Sequence, residues 1–338
     1  MDVVDRGAPA SGVTGAGMGH IVVMDDSPAQ LQLTAYSRRL LDELAPELSA
    51  SCELSRCGTL WIASGEAELE AVEAKQGAYA EAGIASEVLD GDDVARLEPE
   101  LRRPLFGALR VPGDTVVYPP GLARWFLDRA VERGARLHLG TEIDSLGPRE
   151  VRAGTTTISA GAVVNAAGPW SGRLSPGLPV TPRKGHLLIT GRYSGFCRHQ
   201  LVELGYLASA HDLSQDSVAF NLQPRPTGQI IIGSSRQAAG WDGAIDRSVL
   251  QKMVARAVEF VPGLAGLDVV RTWTGFRPAT PDKLPLIGPW PDEDGPWILS
   301  GHEGLGIATA LGTAHILADL MLERRPELDP APFRAARA

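Results

Sequence analysis

A glycine-rich loop that opens directly into an apolar helix is the most constraining feature of this chain. The stretch Ser300–Ala314 reads SGHEGLGIATALGTA. Glycines at a helix start let a ligand approach backbone N–H groups that carry the positive end of the helix dipole. Arg277 lies upstream, and a guanidinium is the side chain best shaped to hold a carboxylate with two hydrogen bonds. The two features predict a pocket in which a carboxylate lies beside an electron-rich ring.

Composition excludes several classes of protein. The chain has 338 residues, 44% of them hydrophobic, which suffices for one large or two moderate domains. Its net charge of −9 argues against nucleic acid as a partner, because phosphate binding needs a concentrated basic surface. An odd, sparse set of cysteines (Cys52, Cys57 and Cys197) is typical of reduced intracellular thiols.

No targeting or membrane-spanning segment is expected. Met1–Asp5 is too short and too acidic to begin a secretory signal, and no apolar run looks long enough to cross a bilayer. We therefore predict a cytoplasmic protein without a transmembrane segment, and attachment at the periphery of the inner membrane stays open. The seven histidines show neither HExxH nor paired-ligand spacing, so no metal site is predicted.

Hydrophobic periodicity predicts an α/β (α+β) chain. Helices are expected at Ser27 to about Leu48, Glu66–Ala82, Asp92–Leu97, Gly121–Arg133 and Asp246–Phe260. Strands are expected at Val3–Val4, Ile21–Met24, Cys57–Ala63, Ala135–Leu139, Ala162–Asn165, His186–Thr190, Val218–Leu222 and Gln229–Gly233, with a loop at Ala8–Gly19. The pattern indicates a discontinuous cofactor domain (1–48, 120–178 and 268–330) interrupted by an antiparallel substrate domain (49–119 and 179–267).

Four motifs in a fixed order carry a family resemblance. They are DRGAPASGVTGAGMGH (Asp5–His20), VVNAAGPWS (Val163–Ser171), GFRPATPDKLPLIG (Gly275–Gly288) and the loop at Ser300–Ala314. The chain thereby resembles the D-amino-acid oxidase/dehydrogenase family of FAD enzymes, which includes glycine oxidase and the sarcosine oxidases. Within the family, the segment TGAGMGHIVVMDDSPAQ is most similar to the β subunits of D-hydroxyproline dehydrogenase, of opine oxidases and of hydrogen cyanide synthase.

The family opens with a strand and a GxGxxG turn that cradles the FAD pyrophosphate. This sequence starts at the following strand, and Gly15–Gly19 follows Asp5 instead of preceding it. That GxGxG run is not expected to open a helix. The resemblance therefore implies an FAD-binding Rossmann-like domain that lacks its first βα unit.

The resemblance places FAD ligands in three parts of the chain. Asp5, next to Arg6, would accept from the adenosine ribose, although a solvated acid in a turn explains the same residues. Small residues after it would pass the pyrophosphate and flavin: Ser11, Gly12, Thr14, Gly17, Met18 and Gly19. Ala167 and Gly168 would bring backbone against FAD, with packing of a strand–helix junction as the alternative. The flavin loop would contribute Gly301, His302, Gly304, Leu305, Gly306 and Ile307.

Further FAD contacts follow less directly from the resemblance. The Glu142-Ile143 backbone matches a position that reads the adenine. His20 would lie by the flavin or act as a hydrogen-bonded core residue.

The resemblance also implies a substrate site. Arg277 would bind the substrate carboxylate, with an internal salt bridge to an Asp such as Asp282 as the alternative. Tyr206 would supply an aromatic contact or pack in the core. His302 would take part in catalysis or hold its ring structurally. Glu303 stands where glycine oxidase has a second Arg in this loop, so fewer cationic groups would hold the substrate carboxylate. His186 and Arg236 are further candidates for the substrate site.

The implied reaction is oxidation of an amine α to a carboxylate by hydride transfer to flavin N5. The implied substrate is a small amino or imino acid such as D-hydroxyproline, a D-amino acid or glycine. Electrons would pass to a partner subunit or to an acceptor such as a quinone. The alternative is a truncated or partner-dependent flavoprotein-like subunit that neither binds FAD nor acts by itself.

Overall fold

The computed structural model describes residues 1–205 and 216–337 as an α/β chain. Its helices are α1 (Val13–Ala16), α2 (Pro28–Leu44), α3 (Glu66–Glu81), α4 (Gly91–Leu97), α5 (Pro119–Glu132), α6 (Ser171–Leu174), α7 (Arg247–Phe260) and α8 (Gly306–Met321). Its strands are β1 (Asp2–Asp5), β2 (His20–Ile21), β3 (Thr59–Ala63), β4 (Glu87–Asp90), β5 (Gly107–Val111), β6 (Thr115–Val116), β7 (Arg136–Leu139), β8 (Ser145–Leu146), β9 (Glu150–Ala153), β10 (Thr156–Ser159), β11 (Val164–Asn165), β12 (Thr181–Arg192), β13 (Gln200–Glu203), β14 (Ser217–Pro224), β15 (Gln229–Arg236), β16 (Val269–Ala279), β17 (Leu286–Pro289) and β18 (Trp297–Ser300).

An eight-stranded sheet organises most of the chain, in the order β16-β12-β15-β14-β13-β3-β5-β4. Every pairing in it is antiparallel except that of β13 with β3, which is parallel. Strand alternation gives the sheet two faces. On β3, Leu60 and Ile62 belong to one buried cluster while Trp61 and Ala63 belong to another.

Helix α7 covers one face of this large sheet. Asp246 caps the helix through its side chain, which accepts hydrogen bonds from the N–H groups of Ser248 and Val249. Phe260 of the helix stacks on Phe220 of β14, with ring centroids 4.4 Å apart. Because Met253 and Phe260 are fully buried here, truncating either to alanine would cost about 2–5 kcal/mol.

Helices α2 and α8 pack together beside two small sheets. Ser27 caps α2 and Pro28 occupies its first turn, as the sequence predicts. The helix ends at Leu44 instead of Leu48, because residues 45–47 (Ala-Pro-Glu) form a 3₁₀ turn whose proline cannot continue the α-helical hydrogen bonds. Leu33 of α2 shares a core cluster with Ile316 and Leu317 of α8.

The two other parallel strand pairs of the described residues lie in separate small sheets. Strand β1 pairs with β7, and β11 pairs with β18, which in turn pairs antiparallel with β17. The ends of β11 and β18 therefore lie side by side. They lead into the segments at residues 166–170 and 301–306, two of the predicted cofactor segments.

Three predictions of local structure are wrong. The loop predicted at Ala8–Gly19 contains the helical turn α1, in which the small residues 13–16 bring Ala16 against Gly275 of β16. The strand predicted at Ala162–Asn165 is shorter, and its Val164 is exposed. Only His20–Ile21 of the segment 20–24 is a strand, although residues 21–24 are buried. The division into two domains stays a prediction, and β16 joins the large sheet.

One helical stretch, Glu303–Met321, is long and apolar enough to span a membrane by length and composition alone. This finding differs from the expectation that no apolar run is long enough to cross a bilayer. Its residues Ile316 and Leu317 are buried against α2, and core helices of soluble proteins pass the same test.

Candidate functional site

A cavity of about 480 Å³ lies between the large sheet and the two glycine-rich segments. The segments contribute residues 13–14, 16–20 and 302–307. The sheet contributes a row of cross-strand neighbours, since Trp61 opposes Val202, Val202 opposes Asn221, and Asn221 opposes Gly233. Directly opposed residues project from the same face, and Trp61, Val202 and Asn221 of this row form one wall of the cavity.

The flavin-type loop after β18 follows a path that requires glycine. Gly301 has φ +79°, and a Cβ there would come within 2.6 Å of Thr280 Cγ2. The chain then makes a 3₁₀ turn at Glu303–Leu305 and enters α8 at Gly306. Gly304, Leu305 and Gly306 line the cavity. The start of a 16-residue helix thus lies at the cavity wall, where its dipole favours negative charge.

His302 lines the cavity as a neutral side chain. A ring nitrogen, Nε2, lies 3.1 Å from the hydroxyl of Thr313 on α8. Burial lowers the pKa of His302 to about 4. The ring therefore links the loop to the helix, which matches the structural alternative, and a role in catalysis stays a prediction.

Arg277 also lies on the cavity wall. Its Nη1 donates to the Ser235 carbonyl oxygen at 2.9 Å. The guanidinium lies over Gly185 of β12, where a Cβ would come within 2.4 Å of Nη1. Within the described residues, the Asp282 carboxylate pairs with Arg337 at 2.9 and 3.1 Å and not with Arg277. An internal salt bridge of Arg277 to another acidic residue stays an alternative.

Glu303 forms a buried ion pair beside Arg277. Its Oε1 lies 3.2 Å from Arg236 Nε and 4.0 Å from Arg277 Nε, and its Oε2 lies 3.5 Å from Arg236 Nη2. The side chains of Arg236 and Glu303 are only 8% and 11% exposed. Burial by itself would raise the pKa of Glu303, but Arg236 and Arg277 outweigh it and hold that pKa at about 2.

The small-residue segment packs tightly along the cavity. Thr14, Gly17, Met18 and Gly19 line it, as does His20. A Cβ on Gly17 would come within 2.7 Å of Ile307 Cδ1, and one on Gly19 within 2.1 Å of the Val117 carbonyl oxygen. Glycine at these two positions is therefore required for packing as well as for the approach of a ligand.

In the first two motifs, five of the residues predicted to hold FAD do not line this cavity. Asp5, at the end of β1, accepts from Gly7 N–H at 2.7 Å. Arg6 lies 3.4 Å from Glu142 and 4.2 Å from the Trp170 ring. The three other residues off the wall are Ser11, Gly12 and Ala167, and a Cβ on Gly12 would meet no described atom within 4 Å. Gly168 does line the cavity and has φ +57°.

Two further candidates have different outcomes. His186 is fully buried, accepts from Asp246 N–H through Nε2, and therefore donates from Nδ1 to Ser235 Oγ at 2.9 Å. Its ring thus connects β12, β15 and the cap of α7, which is a structural role. Tyr206 lies outside the described residues. Within the residues that the structure describes, no group of three or more His, Cys, Asp or Glu side chains is arranged to hold a metal ion.

Sequence reasoning missed the wall that the large sheet provides. Trp61, Asn221 and Leu187 line the cavity although none lies in a motif. The Lys75 ammonium lies 4.3 Å from the Trp61 ring centroid and pairs with Asp25, which fixes the indole. Alternation along each strand could have shown which of these residues share a face. It could not have predicted the strand order that brings them together.

The residues around the cavity fit FAD. Backbone of two glycine-rich segments and the start of α8 line one side, while apolar side chains such as Val22, Leu122 and Leu299 line the rest. His20 Nε2 is buried and has no hydrogen-bond partner among the described residues. A polar ring edge and an apolar body are what an isoalloxazine presents.

Comparisons with known proteins agree with this geometry. Hydrogen cyanide synthase subunit HcnC of Pseudomonas aeruginosa is 32% identical over 260 residues, covering 74% of this chain and 59% of the relative. Glycine oxidase of the same organism is 33% identical over 240 residues, covering 68% and 62%. The aligned segments thus span about three fifths of the length of these relatives.

Solved structures are similar over the whole chain. The crystal structure of glycine oxidase from Geobacillus kaustophilus has a TM-score of 0.89 and 25% identity, covering 100% of this chain and 92% of that one. The profile of the family described as FAD dependent oxidoreductase matches residues 1–320. That match takes in both glycine-rich segments, Arg277 and the strands of the large sheet. The chain therefore belongs to the family of FAD-dependent oxidoreductases that includes the D-amino-acid oxidases.

Proposed function

We propose that this protein oxidises the amine of an amino or imino acid, with D-hydroxyproline, D-amino acids and glycine as the substrates to examine first. The observation that carries the proposal is that Arg277 and the glycine-rich segment leading into α8 line the same cavity. The two lie side by side, since a Cβ on Gly304 would come within 3.4 Å of Arg277 Nε. FAD, when bound, supplies the chemistry by accepting a hydride from the carbon that bears the amine. The chain's own residues then have to bind and orient the substrate and to exclude water.

Arg277 is the group that would hold the substrate carboxylate. Its Nη1 bond to Ser235 O fixes the guanidinium plane, and the fork of N–H groups matches a carboxylate with two hydrogen bonds. Binding at this point leaves the amine and the α-carbon free to extend into the cavity. Orientation of this kind accounts for several kcal/mol of a barrier in general, about 7–11 in the best cases.

The start of α8 would favour negative charge near the cavity. Gly306 lines the cavity at the first position of α8, where helix N–H groups have no intrahelical acceptor. The N–H groups just before it are already used, because Gly304 donates to Glu303 Oε2 and Leu305 donates to the His302 carbonyl oxygen. Negative charge that develops on a bound ring is stabilised by such preorganised donors. Leu305 and Ile307 would exclude water here, because each is partly buried and packs against a core cluster.

A protein base at the α-carbon is not part of this proposal. Burial holds the pKa of His302 at about 4, and its ring contacts Thr313. His186 is held by Ser235 and Asp246. A substrate amine that enters neutral needs no α-proton transfer to the protein, so positioning and electrostatics supply the catalysis.

The test is anaerobic bleaching of flavin absorbance in FAD-loaded protein. D-hydroxyproline, D-proline, glycine and sarcosine are added separately, with Arg277→Lys as the comparison variant. We expect at least one amino acid to bleach the wild type, and the variant to lose about 100-fold in kcat/KM, because one fixed charge replaces a two-point fork. Absence of bleaching by every amino acid would contradict the proposal. Electron transfer to a quinone, a partner subunit or O₂ is then read from reoxidation rates.

A second candidate function is a partner-dependent flavoprotein-like subunit. The separation of β1–β7 from β11–β18–β17 within the described residues favours it, since the Asp5 segment is not joined by strand pairing to the flavin-loop segment. One relative is itself named as a subunit of hydrogen cyanide synthase. Purified protein that lacks flavin absorbance, and gains it only with a coexpressed partner, would favour this candidate over the first.

A further inference from the structure

We propose that Glu303 is a built-in carboxylate that occupies Arg236 and thereby restricts the cavity to substrates with a single carboxylate. The inference rests on the proposed function, because it assumes that Arg277 holds the first carboxylate of the substrate. It assigns a specificity-determining role to Glu303 and a masked second carboxylate subsite to Arg236.

The geometry places the Glu303 carboxylate between the cavity and Arg236. Glu303 lines the cavity whereas Arg236 does not. Two guanidinium nitrogens of Arg236 face the two carboxylate oxygens at 3.2 and 3.5 Å. This is the paired arrangement in which a guanidinium receives any carboxylate, including one from a ligand.

The same carboxylate lies next to the Arg277 clamp. Glu303 Oε1 is 4.0 Å from Arg277 Nε, and Arg277 Nη1 binds the carbonyl of Ser235, the residue before Arg236. A carboxylate bound at Arg277 therefore lies close to a fixed negative charge. A second carboxylate on the same ligand would meet that charge in a cavity lined largely by apolar residues, where like charges repel strongly.

The backbone at Glu303 adds an independent observation. Glu303 has φ +47°, a left-handed conformation that favours glycine. A long charged side chain at such a position implies that the side chain offsets the backbone cost. It also means that Glu303→Gly suits the local conformation and should leave the loop path intact.

The test compares binding of malonate and acetate by titration calorimetry to FAD-loaded protein. We expect the wild type to bind malonate no more tightly than acetate. In Glu303→Gly, the exposed Arg236 should take the second carboxylate, and malonate should bind at least about tenfold more tightly than to the wild type. Glu303→Gln keeps the size of the side chain and removes its charge. It should also raise the affinity for malonate relative to acetate.

A matched control is present in the chain. Glu53 also has φ +47° and also pairs with an arginine, Arg225, at 2.7 Å, but it does not line the cavity. Glu53→Gly should leave both affinities as in the wild type. An unchanged malonate affinity in both Glu303 variants, or an equal gain in Glu53→Gly, would overturn the proposal.

Turnover gives a second arm. With racemic alanine and aspartate as probes, the ratio of kcat/KM for aspartate over alanine should rise at least about tenfold in Glu303→Gly. A constant ratio together with unchanged malonate binding counts against the inference. Failure of every amino acid to reduce the flavin in all variants counts against the proposed function alone, because the calorimetric arm still decides the inference.

Discussion

At the scale of single residues, the position of Arg277 depends on the absence of a Cβ at Gly185. Gly185 leaves the space in which the guanidinium lies, and its cross-strand partner Gly275 leaves the space for Ala16. Two opposed glycines on β12 and β16 thus let a charged side chain and a helical turn both approach the sheet. Neither role is visible in the motif, because the motif does not show the strand pairing.

The substitution Gly185→Ala should misplace Arg277 without removing its charge. The new Cβ would lie 2.4 Å from Nη1 and 2.9 Å from Cζ, so the guanidinium must shift. A displacement of about 1 Å at a binding group costs roughly 10- to 100-fold in kcat/KM, and we expect it mainly as a raised KM. Steady-state kinetics with the best substrate provides the measurement.

Two comparisons separate positioning from general damage. Gly77→Ala on α3 adds a Cβ that meets no described atom within 4 Å, so its kinetics should match the wild type. In an Arg277→Lys background, Gly185→Ala should have little further effect, because no guanidinium remains to be displaced. Equal losses in both backgrounds would contradict the positioning role.

At the scale of elements, the contact between α2 and α8 fixes the helix whose start lies at the cavity. Ser37 Oγ accepts from Gly312 N–H at 3.0 Å, and Leu33 packs nearby. A Cβ on Gly312 would come within 2.5 Å of Ser37 Oγ and 3.0 Å of Leu33 Cδ1. The absence of a side chain therefore sets how closely the two helices approach.

We expect Gly312→Ala to destabilise the protein by about 1–2 kcal/mol. Overpacking at the interface outweighs the gain of roughly 0.5–1 kcal/mol that alanine brings inside a helix. The midpoint of urea unfolding is the measurement. Ser37→Ala in the same chain removes the closest contact and should recover part of the loss. A rise in stability for the single variant would show that the interface is looser than the structure indicates.

Elements with local signals were predictable from sequence, and elements that depend on pairing were not. Ser27 and Asp246 cap helices where the sequence predicts starts. The two-residue β11 and the parallel pairing of β13 with β3 depend on distant strands and carry no local signal. Among site residues, Arg277, His302 and the glycine-rich loop were found by motif. Trp61, Asn221 and the Arg236–Glu303 pair required the folded sheet.

At the scale of the whole molecule, the pair of Glu303 with Arg236 and Arg277 makes stability depend on pH. The pKa of Glu303 is lowered from 4.5 to about 2, so the folded state favours the ionised form. The stabilisation is fully present above pH 4.5 and is lost as the pH falls through 2.

Comparison of the wild type with Glu303→Gln isolates this contribution. At pH 7 the wild type should be more stable by on the order of 3 kcal/mol. The difference should shrink as the pH is lowered from 4.5 toward 2. Urea unfolding at pH 7, 5, 4 and 3 measures it, and a difference that stays constant with pH would argue that the pair contributes by packing instead of charge.

The two faces of the large sheet separate packing from recognition. Phe220 and Leu222 of β14 lie in the core cluster under α7, whereas Asn221 between them lies on the cavity wall. The same holds on β3, where Leu60 and Ile62 flank Trp61. A directed-evolution library that varies only the odd-numbered positions 61, 187 and 221 would therefore sample new substrate shapes while every second residue keeps the fold intact.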